Sequence, residues 1–490
     1  MKRLLVITNT LPGTGTTAGN AIEKIIRSVQ SFYEINYVVI GNHDQLQLEI
    51  NLPYRTFFTA GPAEDWSSIE PFSGLADILS SRETSYIGKR INALISSLSP
   101  EFVLLDIQSH TVLRSVGDIN LENTKSVVLL WDHWSWRYKV FNSSKKTIDG
   151  LDDIRRSLLR KANNVLVPSE EFKEYLIQQN FTDSQNISVV YLPVKNPSSK
   201  VLPGPAARAT KKSRVIGFAG QQYAAAEIQD LLDAVKHIND QSSLDYKIEI
   251  HLFSSVNFLE DQENVFYQGF FDQPTLVERL ADCEVLFLPY PFDPSLQLVS
   301  ELSFPSKFTD YLQALRPVIF YGPSSSPLSS LLFNRGYPFV IGARSKGSIV
   351  HVLNKALCDF ELQIKSESII EDLINSDFSL RRFQDSLNDI GLKSIHYESL
   401  QAISYSEKPV SWEHFQLSNL LARAISPAIP LLTKVRRVRS HLMPSKIVIF
   451  ILQKYRTYAD QRIIKYSRLN QLESVWINGE AKRKKVDNGA

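Results

Sequence analysis

Cysteine is nearly missing from this chain of 490 residues: there are two, Cys283 and Cys358, far apart and each in apolar surroundings. Two such residues exclude a disulfide framework and a cysteine-based metal centre, and they suit a reducing compartment. Long apolar runs are also missing. A membrane span needs roughly 18 apolar residues, and the run at 447–452 (IVIFIL) is short. The opening MKRLLVITNTLPG has charge followed by apolar residues, but Asn9 and Pro12 break it early. It predicts a first β-strand rather than a signal peptide. There is no internal repeat beyond a duplicated fold and no low-complexity tract. Charge of one sign is lacking too: 54 Lys+Arg against 52 Asp+Glu give +2, so net charge makes no case for nucleic-acid binding. The distribution is less even. Residues 431–490 carry 14 basic against 4 acidic side chains, a local +10, which leaves −8 on the first 430.

What is present is a folded composition, 43% hydrophobic and 22% charged. The length is too great for one ordinary core and predicts about two or three domains. Apolar runs at 3–8, 37–40, 102–105, 127–130, 164–167 and 188–191 read as strands, several of them separated by helical patterns. The first helix begins near Asn20, with Ile22, Ile25, Ile26 and Val29 on one face. Residues 195–213 (KNPSSKVLPGPAARATKKS) have no periodicity and read as a linker. The alternation then restarts, with strands at 214–218, 247–253 and 264–268 and helices at 227–238 and 274–281. A strand at 339–341 and a helix at 346–357 close it, and 378–400 is again helical. Strands alternating with helices predict doubly wound parallel sheets. The expected division is 1–195, linker 196–213, 214–377, crossover helices 378–410, and a basic helical tail 411–490.

The richest stretch is 285–322, VLFLPYPFDPSLQLVSELSFPSKFTDYLQALRPVIFYG. It reads as strand, acidic loop, helix, strand. Ser303 is expected to cap the helix with Pro305 in its first turn. Phe308, Tyr311, Leu312 and Leu315 then form one buried stripe, and Arg316-Pro317 stops it. Beside that stripe stand Lys307 and Asp310, one turn apart. A lysine next to free N–H groups of a first turn suits phosphate oxygens. A carboxylate one turn on can accept from ribose hydroxyls. The pair predicts a nucleotide-diphosphate site, although a solvated Lys and Asp on an ordinary βαβ unit would look the same.

FPSKFTDYLQALRPVIFYG resembles the donor-site segment of the "group one" GT-B glycosyltransferases, in which Pro-x-Lys-x-x-Glu-Tyr-Leu precedes Gly-Lys-Pro-Val. The resemblance extends, more weakly, over most of residues 1–400. It implies two Rossmann-like domains facing across a cleft, a nucleotide-sugar donor on 214–323, and retention of anomeric configuration. It places Lys307 beside the diphosphate and Asp310 beside the ribose, with Ser306 and Glu301 also among the donor-binding residues. The family's acidic pair, Glu with a second Glu seven residues later, is half met. Asp310 matches the second position. The first falls on Leu302, with Glu301 one residue out of register and Asp293 a possible substitute.

Other segments resemble family elements in part. Gly13, Gly15 and Gly19 lie in the loop after strand one, where small residues allow close approach of a ligand; a plain turn would also account for them. Gly217-Phe218-Ala219-Gly220-Gln221-Gln222 opens the second domain where relatives have Gly-Arg and a nearby Lys. Gly220 and Gln221 would thus meet the diphosphate through neutral amides. NVFYQGFF (264–271) is similar to a strand and turn that contact the base, with Gly269 its specific part and core packing the expected role of Phe270 and Phe271. Trp131-Asp132-His133-Trp134-Ser135-Trp136 follows a strand at a position where relatives present a His to the sugar donor. His133 or Asp132 could orient an acceptor hydroxyl or stabilise a cationic sugar. The aromatic residues could stack on a sugar or a lipid-linked acceptor, or be structural. Asp106–His110 is a second such strand end.

The expected function is transfer of a sugar from a nucleotide-diphosphate sugar to a carbohydrate or lipid-linked acceptor, in building a surface polysaccharide. No metal or other cofactor is expected, since Lys307 and helix ends can neutralise the leaving group. Residues 431–490, basic and partly apolar, suit an anionic membrane surface. A cytoplasmic protein, peripheral on the inner face of the membrane, follows. A nucleotide-sugar 2-epimerase and a degenerate, non-catalytic binding subunit stay open as alternatives.

Overall fold

The computed structural model describes residues 2–10, 17–40, 56–60, 73–140, 145–194, 197–200, 212–220, 224–241, 246–259, 262–394 and 410–411. The expected basic tail lies, beyond Ser411, outside the described residues, and so does most of the linker.

The first domain runs β1 (Lys2–Thr8), α1 (Thr17–Val29), β2 (Tyr33–Ile40), β3 (Thr56–Ala60), α2 (Ser73–Leu98), β4 (Phe102–Asp106), α3 (His110–Val116), β5 (Lys125–Leu129), α4 (Ser135–Val140), α5 (Lys145–Lys161), β6 (Asn164–Val167), α6 (Glu170–Gln178), β7 (Ile187–Val189). The second runs β8 (Ser213–Ala219), α7 (Ala225–Gln241), β9 (Lys247–Phe253), β10 (Val265–Gly269), α8 (Gln273–Leu280), β11 (Val285–Pro289), α9 (Gln297–Leu302), α10 (Lys307–Ala314), β12 (Val318–Tyr321), α11 (Pro327–Asn334), β13 (Val340–Ile341), α12 (Lys346–Cys358). Helices α13 (Phe360–Asn375) and α14 (Leu380–Asp389) and the short strand β14 (Val410–Ser411) follow.

The strand orders are β14-β3-β2-β1-β4-β5-β6-β7 and β10-β9-β8-β11-β12-β13. Every described pairing is parallel. The reason lies in the apolar runs. FVLLD of β4 and VLFLP of β11 are buried at every position, as strands covered by helices on both faces must be. Two Rossmann-like sheets therefore stand as the sequence predicts.

Helix α1 buries Ile22, Ile25, Ile26 and Val29 completely. Helix α14 is last in sequence among the described helices but belongs physically to the first domain. Its Phe383 and Leu387, with Ile390 and Leu392 beyond it, share a core with Leu4, Val6 and Phe102. The Lys393 N–H also donates to the Tyr33 hydroxyl at 3.4 Å.

Three local expectations change. Ser303 caps no helix start: it ends α9 in extended backbone, and α10 begins at Lys307 with Ser306 before it. The "acidic loop" holds a 3-10 turn at Pro294–Leu296, capped by Asp293, and then α9. Pro305 keeps the chain extended between the two helices. Leu315 does not continue the stripe, because it is the left-handed C-cap, φ 51°, that turns the chain ahead of Pro317. Helix α2 was not legible: Ile87, Ile91, Leu94 and Ile95, which it buries, stand in a Ser-rich segment.

Candidate functional site

In the second domain, β8 and α10 build one wall. Tyr311 on α10 accepts the Ala219 N–H at 2.9 Å and donates to the Phe287 carbonyl at 3.1 Å. These bonds pin the middle of α10 to the carboxyl end of β8 and the middle of β11. Lys307, the first residue of α10, lays its stem across Gly220. A Cβ added at Gly220 would stand 1.8 Å from the lysine Cε and 2.2 Å from Nζ. Gly220 also has φ +118°, a conformation open to glycine and strained for other residues. The ammonium lies 5.9 Å from the Phe218 ring centroid. Burial lowers the Lys307 pKa to about 8, with Asp310 and Asp132 pulling it back up.

Asp310 stands one turn along α10. Burial raises its carboxyl above the ordinary value, against the bond it accepts from Gln273 Nε2 at 2.8 Å and the charges of Lys24 and Lys307. Ser306 occupies the N-cap position, and its carbonyl accepts the Thr309 hydroxyl at 2.7 Å. Glu301 points to its own domain, accepting from Gln297 Nε2 at 2.9 Å and the Ser325 hydroxyl at 3.1 Å. Gly269 ends β10 at φ +92°. Beyond it Phe271 packs on Phe253, ring centroids 6.3 Å apart, whereas Phe270 is 70% exposed. Core packing is therefore the role of Phe271 alone; successive extended residues face opposite ways.

The first domain offers the ends of β1, β4 and β5. The Thr8 hydroxyl donates to the buried Asp106 carboxylate at 2.9 Å. The same carboxylate accepts the Gln108 N–H at 3.4 Å, and Gln108 Nε2 donates to the Asp132 carbonyl at 3.1 Å. A polar chain thus fixes the backbone at Asp132, whose charge reaches Lys307 across the domain boundary. The signal for this chain was a polar residue at or shortly after the end of each apolar strand; its linkage was not visible in the sequence.

His133 is placed otherwise than the sequence suggests. Its ring is 2% exposed, stacked on Trp134 at 4.5 Å and edge-on to Tyr175 at 5.0 Å. Nδ1 accepts the Ser135 N–H at 3.3 Å, which puts the proton of the neutral ring on Nε2. Burial, with the Arg155 guanidinium adding to it, lowers its pKa to about 3. The ring is therefore a neutral member of the aromatic core, and Asp132 is the member of the pair whose charge is felt at Lys307. Trp131 and Trp134 are likewise buried, at 3% and 2% exposure, and act as core residues. Gly19 is buried in the first turn of α1. Gly13, Gly15 and Gln221 lie outside the described residues.

A recess of about 860 Å³, lined in part by Glu101, Asp118, Lys125 and Lys161, sits at the amino ends of β4 and β5. Ligands of open α/β sheets bind at the carboxyl ends, so it is not the site. Among the described residues no group of His, Cys, Asp and Glu is placed to hold a metal ion, and no helix is long and apolar enough to cross a membrane.

No protein-family model and no curated protein matches the chain. Solved structures do. Sucrose-phosphate synthase from Thermosynechococcus elongatus aligns over 80% of this chain and 98% of its own, at 9% identity and TM-score 0.57. Anabaena HepE, solved in complex with UDP and glucose, aligns over 82% of this chain and 100% of its own, at 14% identity and TM-score 0.53. Both have the GT-B architecture, and the likeness establishes that fold for residues of this chain.

Proposed function

Given a GT-B fold, we propose that this chain is a glycosyltransferase that moves a sugar from a nucleotide-diphosphate sugar to a carbohydrate or lipid-linked acceptor in surface-polysaccharide synthesis. The observation that carries this reading is Lys307, held over Gly220 at the start of α10 and within the field of Asp132 from the other domain. The bond from the anomeric carbon to the diphosphate oxygen breaks, and the acceptor oxygen bonds to that carbon as its proton passes to the departing diphosphate oxygen. Negative charge grows on the departing diphosphate. Lys307 and the first N–H groups of α10 stabilise it where it forms. Asp310 takes the ribose hydroxyls, with Ser306, Gly220, Gln221 and Gly269 along the nucleotide. Gly19 allows close approach from the first domain. Glu301, tied to Ser325, holds the loop beside the sugar. Asp132 faces the cationic sugar, and the buried His133 fixes the backbone that presents it. This arrangement needs no metal, and retention of anomeric configuration is expected.

The test is a thermal-shift panel of nucleotide-diphosphate sugars, beginning with UDP and UDP-glucose because HepE holds UDP and glucose. A ligand at 100 times its Kd stabilises by about 2.7 kcal/mol. One donor should shift the wild type clearly and the Lys307→Ala protein much less. If no donor shifts the wild type, the reading fails in favour of a non-catalytic subunit. Release of an epimerised sugar without acceptor would instead mark a 2-epimerase.

For residues 431–490 we propose attachment to the cytoplasmic face of an anionic membrane. The full chain should float with phosphatidylserine-containing vesicles in low salt and stay behind when residues 431–490 are removed. Equal flotation of both would end that proposal.

A further inference from the structure

The segment 302–307 belongs to the second domain in sequence but touches both. Leu302, at the end of α9, is 6% exposed and sits in the first domain's apolar core with Trp134, Phe172 and Phe181. Its carbonyl accepts the Ser169 hydroxyl at 2.6 Å. Ser169 accepts in turn from the Phe172 N–H at 3.1 Å, as the N-cap of α6. The next residue, Ser303, is fully buried, and its hydroxyl accepts the His133 N–H at 2.9 Å. On the other side the Ser303 carbonyl accepts the Tyr290 hydroxyl at 3.0 Å, and the Tyr290 N–H is bonded to the Tyr321 carbonyl at 2.7 Å. Ser303 is thus anchored to the second sheet by its carbonyl and to the first domain by its side chain.

We propose that Ser169, Leu302 and Ser303 form an inter-domain latch, and that Ser303 is a positioning residue that sets Asp132 in register with Lys307. This rests on the glycosyl-transfer reading of the same cleft. The register follows from adjacency. The N–H that Ser303 binds belongs to His133, the residue after Asp132, and Lys307 is four residues beyond Ser303. Separating the domains would break both hydrogen bonds and bring Leu302 into water, so the latched arrangement is a discrete state rather than one point on a smooth motion. A reacting group displaced by about 1 Å can cost about 100-fold in rate. A latch one residue from Asp132 therefore acts on turnover more than on donor affinity, which resides in the second domain.

The experiment compares full-length wild type, Ser303→Ala, Ser303→Thr, Ser169→Asp and Ser169→Thr by small-angle X-ray scattering and by steady-state transfer with the donor found in the panel. Ser169→Asp keeps an acceptor for the Phe172 N–H but, when ionised, has no proton for the Leu302 carbonyl. Ser303→Ala and Ser169→Asp should broaden the distribution of inter-domain distances. They should lower kcat by roughly 10- to 100-fold with little change in donor KM, and the threonine variants should restore both. Scattering and kcat unchanged in Ser303→Ala and Ser169→Asp overturn the latch while leaving the transferase reading intact. A wild type that binds no donor fails that reading instead, and scattering alone then decides the latch. If Ser303→Ala does not fold, Ser169→Asp against Ser169→Thr decides it by the same two readouts.

Discussion

Lys307→Ala should lower transfer by about 100- to 1,000-fold, the usual loss when one preorganised group facing developing charge is removed. The donor identified in the panel serves as substrate, and steady-state rates measure the effect. Gly220→Ala should behave similarly, because its Cβ would occupy the space of the lysine stem and its φ of +118° disfavours alanine. The pH dependence sharpens the expectation. Free enzyme holds the Lys307 pKa at about 8, below the ordinary 10.5, because burial outweighs the charges of Asp310 and Asp132. Only the ammonium form neutralises a diphosphate, so kcat/KM should fall as pH rises through about 8. Bound diphosphate adds negative charge and should carry the kcat limb to higher pH. Stability runs the other way. Above pH 8 the folded chain releases this proton before the unfolded chain does, so stability contributed by this group rises between about 8 and 10.5. Activity falling while stability rises, with both trends lost in Lys307→Ala, would identify the lysine. A transfer rate in Lys307→Ala equal to wild type would remove it from the site.

Leu302→Glu, which restores an acid where the resembled family carries one, should destabilise the protein by about 3–5 kcal/mol instead of raising its activity. That is the general cost of an uncompensated buried charge. The side chain at 302 lies in the first domain's core with Trp134, Phe172 and Phe181, and a carboxylate there meets aromatic faces. Leu302→Met, of similar volume, should cost less than about 1.5 kcal/mol. Denaturant titration followed by tryptophan fluorescence suits the test, since Trp134 belongs to the same cluster. A Leu302→Glu protein as stable as wild type and faster in transfer would show that position 302 reaches the sugar and not the core.

The alternation of apolar runs and helical stripes carried most of the architecture. A parallel strand buried on both faces can hardly be anything but a short apolar run, so 102–105, 164–167 and 285–288 were legible without contacts; 247–253 (KIEIHLF) was legible by its alternation instead. The α1 stripe was legible because four isoleucines and valines repeat at one spacing. Strand β3 and helix α2 were not: β3 is only five residues, TFFTA, and the apolar residues of α2 are diluted by serine and charge. The start of α10 was misplaced by a few residues: Ser303 is a good cap by type, but Pro305 and the separate turn of α9 moved the start to Lys307.

Lys307 and Asp310 one turn apart on a helix beside an apolar strand is a local pattern, and local backbone geometry is enough to present it. By itself, then, the sequence determined two parallel sheets, the order of their elements, and a phosphate-suited lysine at the start of a helix. The tertiary structure alone decided which of two adjacent residues is withdrawn into the core and which keeps a charge felt at that lysine. Asp132 and His133 are equal candidates as letters. The aromatic slot formed by Trp134, Phe172 and Tyr175 takes the imidazole into the core and leaves its neighbour to act across the boundary. It also decided that Leu302 and Ser303 join the two domains, through bonds to Ser169 and His133 more than a hundred residues away. Burial and cross-domain hydrogen bonds depend on which distant surfaces meet, and no periodicity within a segment encodes that meeting.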